Sequence, residues 1–174
     1  MKDITASLMA DIQTPEKLRP SLFIGSSSAG LNVAHALQAN LQSTFEVNIW
    51  NQGSFEVGEF NLEALMDVGK KSQFAVLVLT PDDLTTVDNM ARPSPRDNVI
   101  FEMGLFLGVL GRRQAFIVHE DGSKLKLPSD IDGVTRATYI MPVNGSLTSA
   151  LSVASNKISE AAFSDTEGGY LHKK

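Results

Sequence analysis

The sequence predicts an α/β domain built on a five-stranded parallel sheet with helices on both faces, and three observations carry that expectation. Strand-length apolar runs alternate with segments of helical spacing along the chain. The run Phe74-Ala75-Val76-Leu77-Val78-Leu79 and the stretch from Gln114 to His119 are apolar on consecutive residues, as strands covered on both faces are. At 174 residues and 43% hydrophobic content, the chain suffices for one domain with a full core. Right-handed crossovers between such units give a doubly wound sheet.

Residues 1–20 are mixed and punctuated by Pro15 and Pro20, which predicts an arm or lead-in ahead of a domain at 21–163. Ser21 to Gly25 is the first strand. Ser26-Ser27-Ser28 then suits the cap of a helix spelled by Leu31, Val33, Ala34, Leu37 and Leu41. Phe45 to Trp50 alternates like a strand, and Asn51 to Glu59 is rich in turn formers. A helix from about Asn61 to Lys71 leads into the Phe74 strand, after which Thr80 to Pro95 reads as a long polar loop. Pro95-Arg96-Asp97-Asn98 resembles a helix start with Asp97 or Asn98 as the cap, and Gly104 and Gly108 in that helix predict close helix packing. The Gln114 strand, a strand near Arg136 to Met141 and a helix from about Ser146 to Phe163 complete the domain. The tail 164–174 has the composition of a disordered end.

Charge and composition exclude several classes. The net charge is −5, and no run of Lys or Arg exceeds the pairs Lys70-Lys71, Arg112-Arg113 and Lys173-Lys174, so a nucleic-acid footprint is absent. With no cysteine, and with His35, His119 and His172 scattered, neither a disulfide nor a metal site is expected. No stretch reaches the roughly 18 consecutive apolar residues of a membrane span, and the N-terminus lacks a secretory pattern. These features predict a soluble, cytoplasmic protein.

The most informative residue is Glu102, a lone carboxylate among Val99, Ile100, Phe101, Met103, Leu105, Phe106 and Leu107. An ionised carboxylate there is costly unless it is paired, hydrated or used. Asn98 stands one turn before it on the helix, so the two are expected to point together into a cleft at the carboxyl ends of the strands. Around those ends the residues allow two readings each. Gly25-Ser26-Ser27-Ser28 either caps a helix or cradles a phosphate on free N–H groups, though it is neither a P-loop nor a G-x-G-x-x-G. Arg96 either pairs with Asp97 or binds a ligand anion. Trp50 and Phe55 either fill a strand end or stack on a flat ring. Asp82 and Asp83 either make a turn or hold ribose hydroxyls.

Four segments together resemble a known family: Leu22 to Gly30 (LFIGSSSAG), Trp50 to Phe55 (WNQGSF), Val78 to Asp83 (VLTPDD) and Pro95 to Phe106 (PRDNVIFEMGLF). The chain is similar, through them, to the bacterial TIR-like nucleotide-binding domains that are fused to STING or serve as effectors in cyclic-nucleotide anti-phage systems. That resemblance implies a TIR, flavodoxin-like fold and cleavage of the nicotinamide–ribose bond of NAD⁺, which is substrate and not cofactor. It makes Glu102 the catalytic carboxylate and Phe23, Gly25, Ser26, Ser27, Trp50, Asp82, Arg96, Asp97 and Asn98 the substrate contacts. It also implies self-association through the loop Asn51 to Glu59, driven by a cyclic-nucleotide sensor domain or a partner such as STING. Some animal relatives carry an aromatic residue where Asn98 stands. A nucleoside 2-deoxyribosyltransferase-like enzyme and a non-catalytic TIR adaptor are the alternatives.

Overall fold

Five parallel strands in the order β2-β1-β3-β6-β7 form the centre of the molecule, in a computed structural model that describes residues 19–51, 62–87, 89–131 and 133–164. The elements are β1 (Ser21–Ser26), α1 (Leu31–Leu41), β2 (Glu46–Asn51), α2 (Leu62–Lys71), β3 (Phe74–Leu79), β4 (Asp83–Val87), β5 (Met90–Ser94), α3 (Asp97–Leu110), β6 (Ala115–Glu120), β7 (Thr135–Tyr139), α4 (Leu147–Ala150) and α5 (Ser152–Phe163). The arm before Arg19, the part of the Asn51 to Glu59 loop beyond Asn51, and the tail beyond Ser164 lie outside the described residues.

Successive side chains of a strand point to opposite faces, so each central strand feeds two cores. Leu22, Ile24, Val76, Val78, Phe116 and Val118 pack with α1 and α5. Phe23, Ala75, Leu77, Leu79 and Ile117 pack under α2 and α3. This double burial is why β3 reads as an unbroken apolar run, every one of its six residues being buried. Strand order reverses at β1, which pairs with β2 on one side and β3 on the other. In open α/β sheets such a reversal opens the ligand crevice at the strands' carboxyl ends.

The structure departs from the sequence reading at four places. Thr80 to Pro95 is not a plain loop: β4 and β5 pair antiparallel in a separate two-stranded sheet, Val87 opposite Met90, with Asn89 at φ 61° in the turn. Thr85, Thr86 and Val87 are β-branched and Asn tolerates a positive φ, which suits these residues to a hairpin although no alternation of apolar residues marks it. The α3 cap is Arg96, without a side-chain cap bond, and Asp97 is instead the acid of the first turn. Gly104 and Gly108 are exposed, and among the described residues no neighbouring atom would lie within 4 Å of a Cβ built on either. Each costs about 1 kcal/mol against alanine in a helix interior, and the described residues supply no packing in return. The last helix is two, α4 and α5, joined at the buried Leu151.

At the far edge of the sheet, Tyr139 is buried and pairs in register with Glu120. Burial pushes its phenol above the usual value of 10.0, and the Glu120 carboxylate adds in the same direction. The folded state therefore holds this proton more tightly than the unfolded chain does. The resulting stability is fully present below the unfolded pKa and is lost as pH rises through the folded one. Urea midpoints measured upward from about pH 9 should fall more steeply for the wild type than for Tyr139→Phe.

Candidate functional site

Glycine at position 25 shapes the site. In register, Gly25 lies between Trp50 of β2 and Leu77 of β3, so on the α2/α3 side of the sheet it leaves a gap between two large side chains. A Cβ there would lie 2.9 Å from Leu77 Cδ1, 3.0 Å from Phe23 Cε1 and 3.3 Å from Glu102 Oε2. The Glu102 carboxyl group thus comes down from α3 onto the backbone of β1, into the space that the absent side chain leaves.

The helix brings it there by ordinary periodicity. Val99, Glu102, Met103 and Phe106 are the buried residues of α3, at the spacing of the face that packs on the sheet. Glu102 occupies a core position and is 0% exposed. Phe106 stacks on Phe23 with ring centroids 4.3 Å apart, and Trp50 stands 6.5 Å from Phe23 on the other side. The carboxylate is therefore enclosed by aromatic and aliphatic walls, where a nearby positive charge would interact with it far more strongly than in water.

The remaining expected contacts fall into three groups. Gly25 meets Glu102 directly, with Phe23 beside that glycine as a buried wall and Trp50 its partner in register on β2. Ser26 and Ser27 sit at the end of β1 beside the start of α1: Ser27 Oγ lies 3.1 Å from Thr80 Oγ1 and accepts the Gly30 N–H at 3.2 Å. This bond to Gly30 closes the turn before α1 and does not cap the helix: the N-cap is Gly30, without a side-chain cap bond, so the capping expected of the serine cluster is corrected. Ser26 Oγ is buried and has no hydrogen-bond partner among the described residues, nor has Oδ2 of the half-buried Asp82 beyond the end of β3. Arg96, Asp97 and Asn98 are all exposed at the start of α3.

Two expectations are corrected here. Glu102 is enclosed, not open to a cleft, and Asn98 does not join it: one turn apart on the helix, the first is exposed and the second is in the core. The sequence showed the spacing but not which edge of the stripe meets the sheet. It also missed Leu77 and Phe106 as walls. Phe106 stands one turn after Glu102, and Leu77 became a neighbour only through strand pairing.

Residues 21–141 match the CAP12/Pycsar effector protein, TIR domain. The chain belongs to that TIR-domain family. The resemblance read from the four segments is thereby borne out. Among curated relatives, the Pycsar effector protein PaPycTIR of Pseudomonas aeruginosa is 37% identical over 150 residues, 85% of this chain and 49% of that protein. BcPycTIR of Burkholderia cepacia is 41% identical over 126 residues, 72% of this chain and 41% of that protein. The CD-NTase-associated protein 12 of Flavobacterium daejeonense is 41% identical over 118 residues, 68% and 37% of the respective chains. This TIR chain thus spans less than half the length of these relatives. A solved diflavin flavoprotein A3 from Nostoc sp. superposes with a TM-score of 0.52 at 14% identity, covering 88% of this chain and 100% of that one, which shows the flavodoxin-like fold alone. Among the described residues, no helix is long and apolar enough to cross a membrane, and no group of three or more His, Asp or Glu is placed to hold a metal.

Proposed function

We propose that this TIR domain is an NAD⁺ glycohydrolase of cyclic-nucleotide anti-phage defence, acting in the cytoplasm and switched on by self-association. The observation that carries the reading is the enclosed carboxylate of Glu102 against Gly25, at the strand-order reversal where ligands of this sheet class bind. When the ribose C1′–N bond of NAD⁺ breaks, its electron pair leaves with nicotinamide, which becomes neutral. The sugar is left with oxocarbenium-like positive charge. A carboxylate held in a low-dielectric niche stabilises that charge as it forms. Water then adds to C1′ and loses a proton, giving ADP-ribose.

Trp50, half-buried beside the niche, offers a flat face to the leaving base, and the orphaned hydroxyl of Ser26 with Asp82 offers polar contacts along the strand ends. Arg96, Asp97 and Asn98 stand at the exposed helix start, where Arg96 would meet a diphosphate. An enclosed carboxylate also suits an enzyme that is silent at rest: substrate reaches it only when the wall opens. The relatives' names, Pycsar effector and CD-NTase-associated protein, support the signalling context. In that reading a sensor domain, or a partner such as STING, gathers TIR copies, and the loop Asn51 to Glu59 takes part in their contact. The test is NAD⁺ consumption across a protein concentration series, with chromatography of products. Turnover per molecule should rise with concentration and release nicotinamide and ADP-ribose; exchange of bases between deoxynucleosides with NAD⁺ untouched would overturn the proposal.

A further inference from the structure

Helix α3 is apolar around its whole circumference, yet only one side of it is covered. Such a helix belongs inside a structure. Opposite the buried stripe of Val99, Glu102, Met103 and Phe106 runs a second stripe at helical spacing, Phe101, Gly104 and Gly108, all exposed, with the Phe101 side chain 50% open to solvent. The two glycines weaken the helix and, among the described residues, are approached by nothing. A glycine notch on a helix surface lets another helix come close.

We propose that this outer face of α3 is a self-association surface, on which the α3 of a second copy of the chain docks antiparallel about a two-fold axis between Gly104 and Leu105. The sequence is self-complementary in that register. Phe101 of one copy falls opposite Gly108 of the other, so the exposed large side chain meets a notch, and the pair repeats across the axis. The ends complement as well. The acidic Asp97 end of one helix lies beside the Arg112-Arg113 end of its partner, and the two helix dipoles oppose. One helix per side is a small interface, so the contact is weak and depends on concentration.

The consequence for the site, which rests on the NAD⁺ reading, is direct: the helix that docks outward is the one that holds Glu102 inward. Bracing α3 from outside fixes the wall from which the carboxylate projects. This surface is separate from the loop Asn51 to Glu59.

Sedimentation equilibrium of the chain without NAD⁺, with thermal melts of each variant, tests the proposal. Wild type should associate reversibly as concentration rises. Phe101→Ala removes the knob and Gly108→Phe fills the notch, and each should weaken association at least about tenfold while the cooperative melt is kept. The double variant restores a large-to-small pair with the roles exchanged and should return to within about threefold of wild type, a rescue that misfolding cannot mimic. A wild type monomeric throughout, single variants that associate normally, or a double variant without rescue would each overturn the antiparallel α3 contact. Because no substrate is present, such a failure leaves the NAD⁺ reading untouched, and absence of NAD⁺ cleavage leaves the contact untouched.

Discussion

Glu102→Gln is expected to abolish nicotinamide release while leaving the domain folded. The amide nearly matches the carboxylate in volume, so the contacts with the Gly25 backbone and the surrounding walls persist, and melting should stay close to wild type. What disappears is the negative charge that stabilises the developing sugar cation. Losing a preorganised charge-stabilising group costs about 10²–10³-fold in turnover. Turnover within a few-fold of wild type would show that Glu102 is a core residue with no part in chemistry. Normal phage defence from the inactive variant would instead favour a non-catalytic adaptor role.

Gly25→Ala should damage stability and activity together. Its Cβ would lie 2.9 Å from Leu77 and 3.0 Å from Phe23, distances that force both side chains to move within a packed core. Overpacking of this kind costs about 1–3 kcal/mol. At 3.3 Å from Glu102 Oε2 it would also make the carboxyl group give by a few tenths of an ångström. Placement errors of about 1 Å at a reacting centre cost on the order of 100-fold in rate, and this smaller shift lowers turnover by less. Urea unfolding beside a nicotinamide assay separates the two variants: Glu102→Gln loses only activity, Gly25→Ala loses both. A Gly25→Ala protein of wild-type stability and turnover would show that the niche relaxes freely and that the close approach of helix to strand is dispensable.

How much of this was legible beforehand depends on the residue. The β3 run was unmistakable because a strand covered on both faces has no polar row to interrupt it. The hairpin of β4 and β5 was hidden by polar composition: Leu84 and Met90 are exposed, so no burial pattern marked the strands. The glycines of α3 suggested close packing, but both are exposed, because small size in a helix does not say which face meets the core. For Glu102, the oddity of a carboxylate in an apolar helix was visible at once. Its pairing with Asn98 was misjudged because two residues one turn apart share a side of the helix only approximately, and the boundary between core and solvent passes between them.

Local periodicity by itself determined the alternation of strands and helices, the fold class, and the choice of Glu102, because side-chain spacing and burial are written one residue at a time. Tertiary structure alone decided that the carboxylate lies enclosed over Gly25, with Phe23 and Leu77 beside that glycine. That contact joins residues from three elements, and only the pairing of parallel strands and the pitch at which α3 crosses them fixes which side chains meet.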